Sequence, residues 1–148
     1  MSERPHLTVA AVVERNGKFL MVEERTQDGL RLNQPAGHVE PRETLLEAVV
    51  RETLEETAYR FIPQHLLGVY HWANRNRGPN YVRFAFTGRL DELPQDVGLD
   101  ADIIRTVWLS PAEVRDSQAR HRSPLVGRCM EDFLRGQRYT LDLIRTEF

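Results

Sequence analysis

The chain is poor in the residues that would tie it to an oxidising compartment, a membrane or a polyanion. Cys129 is its only cysteine, which excludes an intramolecular disulfide and a Cys-rich zinc site. Set in an apolar helical pattern, it reads as a packed thiol. No apolar run reaches the ~18 residues a membrane helix needs, and the polar first five residues lead into no signal-peptide core. A formal net charge of −2 over 148 residues lacks the clustered basic surface of a general nucleic-acid binder. Repeats, low-complexity tracts and linkers are missing too. What is left is a soluble cytoplasmic chain, expected as one domain over residues 1–148 and probing no nucleic acid polymer or membrane. That length buries a core without disulfides or structural metal. A small phosphorylated ligand stays open, because a metal and a few local arginines suffice to hold one.

What the chain has in excess is glutamate, concentrated in one place. Glu43, Glu47, Glu52, Glu55 and Glu56 stand against the single Arg51. Like charges at helical spacing repel one another. The crowding makes sense if divalent cations neutralise the cluster, since hard cations such as Mg²⁺ take oxygen ligands. At about 100° per residue, Leu46, Val49, Val50 and Thr53 share one side of a helix expected over residues 44–56. Glu52, Glu55 and Glu56 share an adjoining side. Glu56 thereby borders the apolar edge, and the carboxylates flank the core.

Around this stretch the pattern alternates between strands and helices. Residues 7–14 are β-branched and apolar, as in a buried strand. Asn16-Gly17 signals a two-residue hairpin, with residues 19–25 returning. Residues 26–29 read as a loop and 30–34 as a short strand. Pro35 removes an amide donor, and Gly37 permits close backbone approach. Further strands are expected to end over 67–72 and to span 81–90 and 103–109. Between them, 73–80 (with Arg75 and Arg77) and the acidic 91–102 (with Pro94 and Gly98) read as loops. Ser110, Pro111 and Glu113 form a capping box with proline at the first helical position. Ser123-Pro124 begins a second helix that runs to about Leu134 and ends near Gly136. Residues 139–144 read as a terminal strand or extended tail. The sum is one mixed α/β domain.

Gly37, Glu43, Arg51-Glu52 and Glu55-Glu56 stand at the spacing G-x5-E-x7-R-E-U-x-E-E-x-G-U, where U is aliphatic. This is the signature of the Nudix hydrolase family, which the chain resembles. Thr53 and Tyr59 stand in place of aliphatic residues, and Ala58 in place of the last glycine, which leaves the helix ending open. Beyond the signature, PHLTVAAVV, GKFLMVEE, NQPAGHVE, RSPLV and GQRY resemble the NudJ-type phosphatases, a group within the family. The resemblance implies a Nudix fold, a mixed β-sheet sandwiched between helices (α/β/α). It implies hydrolysis of nucleoside di- and triphosphates and of thiamine-related pyrophosphates, namely hydroxymethylpyrimidine pyrophosphate and thiamine pyrophosphate, with release of phosphate.

The resemblance and the carboxylate chemistry together assign Glu52, Glu55 and Glu56 as metal ligands for Mg²⁺, with Mn²⁺ as a substitute. The Gly37 carbonyl is a further ligand by family analogy, and Glu43 supports the site or joins an extra metal. Arg51 is expected to orient the glutamates by charge-assisted hydrogen bonds. Asp102, six residues before Trp108, is the candidate general base or additional ligand, with Asp100 as its substitute. Glu40 reads as a loop or supporting residue. For the substrate, His38, Trp72, Tyr81, Arg83 and Arg25 are candidates: rings for stacking, arginines for phosphate. Against these stand a structural hydrogen bond for His38, core packing for Trp72 and a solvated strand face for Arg83. A monomer acting on small nucleotides or pyrophosphates is expected. The alternatives are cleavage of ADP-ribose or dinucleotides, and a non-catalytic nucleotide-sensing domain.

Overall fold

β-branched and apolar residues near the start of the chain form strand β1, His6–Val12, buried from Thr8 onward. This is seen in a computed structural model that describes residues 4–73, 75, 76, 78, 80–91, 96 and 98–148. The two-residue strand β2, Glu14–Arg15, turns into β3, Lys18–Thr26. Asn16 (φ 55°) and Gly17 (φ 78°) both take the left-handed conformation that a two-residue hairpin needs. Residues 26–29 tighten into a second turn, with the Thr26 hydroxyl donating to the Gly29 carbonyl at 2.6 Å. It leads into β4, Gly29–Asn33.

The next strand, β5 (Ala36–His38), was not expected from the sequence. Three residues that include a glycine carry no alternating pattern; it exists because β1 supplies an antiparallel partner, Val9 opposite Gly37. Helix α1, Leu45–Thr57, begins at Thr44, whose hydroxyl accepts from the Glu47 amide while the Glu47 carboxylate accepts from the Thr44 amide. It ends at Ala58, held left-handed at φ 66°. Ala58 does what the family's glycine does, at the cost of a Cβ in a crowded conformation.

Strand β6, Phe61–Ala73, is 13 residues long and ends one residue beyond the expected 67–72. It pairs with β7, Asn80–Leu90, across two irregularities, at Pro63/His65 and Leu66/Gly68. Gly88 admits the first: a Cβ there would lie 2.0 Å from the Ile62 carbonyl oxygen. Strand β8, Ile103–Leu109, precedes α2, Pro111–Asp116, capped by Ser110 and Glu113 as its sequence predicts. A 3-10 turn at Gln118–Arg120 leads to α3, Leu125–Leu134. The tail makes one antiparallel bridge, Tyr139 to Leu66, and a 3-10 turn at Leu141–Leu143, where a strand or extended tail was expected. The expected loop positions Asn74, Arg77, Pro79 and Pro94 lie outside the described residues.

The strands form two sheets. One has the order β5-β1-β7-β6, with β1 and β7 parallel; in the other β3 pairs with β2, β4 and β8. Alternation along the first sheet sorts its side chains to two faces. On one, Val9, Ala11 and Phe86 pack with Ala48 and Val49 of α1. On the other, Val12, Leu67 and Ala85 pack with Val126, Cys129 and Met130 of α3. This is the expected α/β/α arrangement, and Cys129 is the packed thiol that its pattern suggested. Among the described residues, no helix is long and apolar enough to cross a membrane.

Candidate metal and active site

The site is built where the last two turns of α1 meet the edge strand β5. Gly37 faces the helix, and the space a side chain would fill is taken by Glu52: an added Cβ would lie 1.9 Å from Glu52 Oε2. Only glycine lets the carboxylate come this close to the strand. The outer edge of β5 offers an amide and a carbonyl that no strand claims. Glu56 Oε1 accepts from the Ala36 amide at 3.0 Å, and the His38 carbonyl accepts from Arg51 at 3.0 Å.

Arg51 is the hub. Its Nε donates to Glu43 Oε2 at 2.6 Å and its Nη2 to Glu43 Oε1 at 2.9 Å, a bidentate clamp. Its Nη1 donates to Glu52 Oε1 at 2.6 Å and Glu55 Oε2 at 3.2 Å, with Glu40 at 3.4 Å. Glu43 and Arg51 therefore lock the loop to the helix, and Glu40 joins them as a supporting residue. The clamp holds the Glu43 carboxyl below its ordinary range.

Glu56 differs from its neighbours. It is 5% exposed, and among the described residues no cation lies within ion-pair distance of it. Burial, reinforced by the nearby charges of Glu24, Glu52 and Asp100, pushes its carboxyl up to about 9. Glu52 is raised as well, chiefly by burial, with Arg51 opposing the rise. Among the described residues no three acidic, His or Cys side chains are already arranged around one point to hold an ion; Glu52 and Glu55 are turned onto Arg51. The donor set nevertheless fits a hard divalent cation. All its donors are carboxylate oxygens, and the buried Glu56 carboxyl has no positive partner among the described residues.

The loop acids divide. The Asp100 amide donates to the Glu55 carbonyl at 2.8 Å, which ties the loop to α1, and the Asp100 charge acts on both Glu52 and Glu56. Asp102, the first candidate from the sequence, uses its carbonyl to accept from the Arg25 amide at 2.8 Å. The geometry thus brings Asp100 to the glutamates. Arg25 is exposed, and strand alternation turns its side chain away from Glu24.

Arg83 corrects an expectation. It stands on no solvated face: it is 6% exposed, donating to Gln34 Oε1 at 2.9 Å and Asn33 Oδ1 at 3.0 Å. Its guanidinium ties β7 to the segment just before Pro35 and β5. His38, Tyr81 and Trp72 lie in a row with His6. The ring centroids of His38 and His6 are 5.1 Å apart, those of His6 and Tyr81 5.2 Å, and Tyr81 and Trp72 are parallel at 6.1 Å. The expected Arg75 is exposed.

Sequence reasoning missed Glu24. It is 8% exposed on β3, close enough to Glu56 for its charge to matter, and it accepts from Arg122 Nη1 at 2.8 Å. The signal was the Glu23-Glu24 doublet inside an otherwise apolar strand, where a buried charge needs a reason. Arg122 had no such signal, because it sits 98 residues away in a loop.

Residues 4–128 match the family model of the NUDIX domain. Phosphatase NudJ of Escherichia coli (strain K12) is 40% identical over 141 residues, which cover 95% of this chain and 91% of that protein. A solved NUDIX hydrolase from Nitrosomonas europaea is similar with a TM-score of 0.92 at 46% identity, over 97% of this chain and 98% of that one. A MutT NUDIX hydrolase from Burkholderia pseudomallei, 20% identical, covers 88% and 98% of the two chains with a TM-score of 0.73, a likeness of fold.

Proposed function

The chain belongs to the NUDIX hydrolase family, and from that premise we propose that it hydrolyses phosphoric anhydride bonds with Mg²⁺, releasing phosphate. The substrates proposed are nucleoside di- and triphosphates and thiamine-related pyrophosphates. The relative named as a phosphatase, alike over nearly its whole length, supports phosphate as the product. The observation that carries the reading is the buried Glu56, whose carboxyl burial pushes up to about 9, beside Glu52 and Glu55 at the Gly37 edge.

A bound divalent cation supplies charge neutralisation for the polyphosphate and an acidified water. Glu52, Glu55 and Glu56 would hold it; the Gly37 carbonyl, expected as a further donor by family analogy, turns toward Val9 of β1 in the strand pairing. Glu52 and Glu55, now bonded to Arg51, would turn from it to hold the cation, while the Arg51 clamp on Glu43 and the His38 carbonyl keeps the helix in register with β5. Asp100, tethered to the last turn of α1, is the acid we place to take the proton of the attacking water, with Asp102 as the alternative.

A panel of anhydrides with Mg²⁺, scored separately for orthophosphate and pyrophosphate, tests this. Orthophosphate release from a nucleoside triphosphate or hydroxymethylpyrimidine pyrophosphate is expected. Turnover confined to ADP-ribose or dinucleotides overturns the substrate class, and turnover of none overturns the enzymatic reading.

A further inference from the structure

Alternate residues of β5 look in opposite directions. Gly37 faces the glutamates on the α1 side, and the next residue, His38, joins the ring row on the α3 side. The strand pairing explains the row. His6, Tyr81 and Trp72 are direct cross-strand partners over β1, β7 and β6, and His38 is the diagonal neighbour of His6, opposite Thr8. Four strands thus carry four rings from the edge of the metal site to Trp72.

Trp72 opens onto a cavity of about 600 Å³, lined also by His121, Arg122, Ser123, Pro124 and Arg128. That volume suits a nucleotide-sized ligand. Arg122 belongs to both places. It lines the cavity, its amide donates to the Leu32 carbonyl at 2.8 Å, and its guanidinium reaches Glu24 beside Glu56. With its side chain 45% exposed, Arg122 keeps donors free for a second anion.

We propose that this cavity is the subsite for the organic half of the substrate, a planar aromatic ring bearing a phosphate ester. The ring stacks against Trp72, and Arg122 holds the first phosphate where the chain of phosphates rounds the β5 edge toward the glutamates. The assignment rests on the hydrolase reading for its orientation. The chemistry is shared by nucleotides and by phosphorylated aminopyrimidines. A stacked ring gains affinity without hydrogen-bond readout, and a guanidinium suits phosphate.

The chain has two tryptophans, so Trp108→Phe leaves Trp72 as the only tryptophan emitter. AMP and hydroxymethylpyrimidine monophosphate are titrated against its fluorescence, with orthophosphate as the ring-free control. Saturable quenching by a ring phosphate, and not by orthophosphate, is expected; quenching by only one of the two identifies the source. No change with either overturns the subsite. In the otherwise native chain, Trp72→Leu is expected to lower the ratio of kcat/KM for ADP to that for inorganic tripolyphosphate about tenfold, and an unchanged ratio overturns the stacking. Arg122→Gln should weaken AMP more than adenosine; equal weakening removes the phosphate role. If the native enzyme cleaves no anhydride while ring phosphates still quench, the subsite stands and the hydrolase reading falls.

Discussion

The two faces of the four-stranded sheet bury charge by opposite means. On the α1 face, carboxylates crowd around one arginine, and beside them stands Glu56, with which no cation pairs among the described residues. On the α3 face, a single arginine, Arg83, is buried among neutral amide oxygens, and among the described residues no carboxylate pairs with it directly. An arginine stays charged and is satisfied by hydrogen bonds, so Arg83 serves as a fixed tether. A carboxyl instead gives up its charge on burial until a cation arrives. One face is built to stay as it is, the other to change when a metal binds.

Glu56→Gln breaks that comparison hardest. Turnover should fall about a thousandfold or more, as when a principal electrostatic contact is lost from an active site, with circular dichroism unchanged. The same variant has a stability signature of opposite sign. A carboxyl raised from 4.5 to about 9 on folding costs nothing below pH 4.5; the penalty grows as pH rises between the two values and is full above 9. At pH 7 it is on the order of 3 kcal/mol. In EDTA, Glu56→Gln should therefore melt higher than the native chain, by a margin that widens from pH 5 to pH 8. Mg²⁺ should raise the native Tm and leave the variant's nearly unmoved. A variant that melts lower in EDTA would place the Glu56 charge in water.

The α3 face should answer the other way. Arg83→Met leaves Asn33 Oδ1 and Gln34 Oε1 without their donor. A buried acceptor left unsatisfied costs about 1–3 kcal/mol, so Tm is expected to drop by roughly 5–10 °C for a domain of this size. At 20 °C, where the variant is still folded, kcat should be little changed. A large loss of kcat with an unchanged Tm would move Arg83 from tether to substrate contact.

Arg51→Met probes the hub between the glutamates. Removing a residue that orients metal ligands typically costs about 10–100-fold in activity or metal affinity. Titration calorimetry should show the Mg²⁺ affinity falling with kcat. A kinetic defect with native metal affinity would mean that Arg51 touches substrate instead.

How much of this was legible follows from range. The α1 side is written in contiguous spacing: a capping box, four charged residues at helical intervals and a glycine six residues before Glu43. Periodicity alone placed α1 to within a residue at each end. The asparagine-glycine hairpin and the Ser110 cap are equally local and were equally readable. Glu24 with Arg122 and Arg83 with Asn33 join residues 98 and 50 positions apart, and no period in the sequence announces such a pair. Strand β5 is hidden for a related reason: three residues have no pattern, and their conformation is set by β1. For Asp100 and Asp102 the sequence shows two acids in one loop, and the hydrogen bond from the Asp100 amide to the Glu55 carbonyl decides which is carried to the helix.

The smallest expected effect tests whether the active face bears strain at its border. Ala58 holds φ 66° at the end of α1, two residues after Glu56, and the left-handed conformation costs a residue with a Cβ roughly 1–2 kcal/mol. Glycine removes that cost and adds some freedom to the unfolded chain. Ala58→Gly is therefore expected to stabilise by about 0.5–1 kcal/mol, a rise in Tm of roughly 1–4 °C. The Ala58 amide donates to the Leu54 carbonyl, a bond that any residue can make, so the helix end and the position of Glu56 should survive. Activity should then be unchanged. A fall in kcat alongside the gain in Tm would show that the alanine's strain helps to set the glutamates, and the α1 face would be tuned by its exit as well as by its hub.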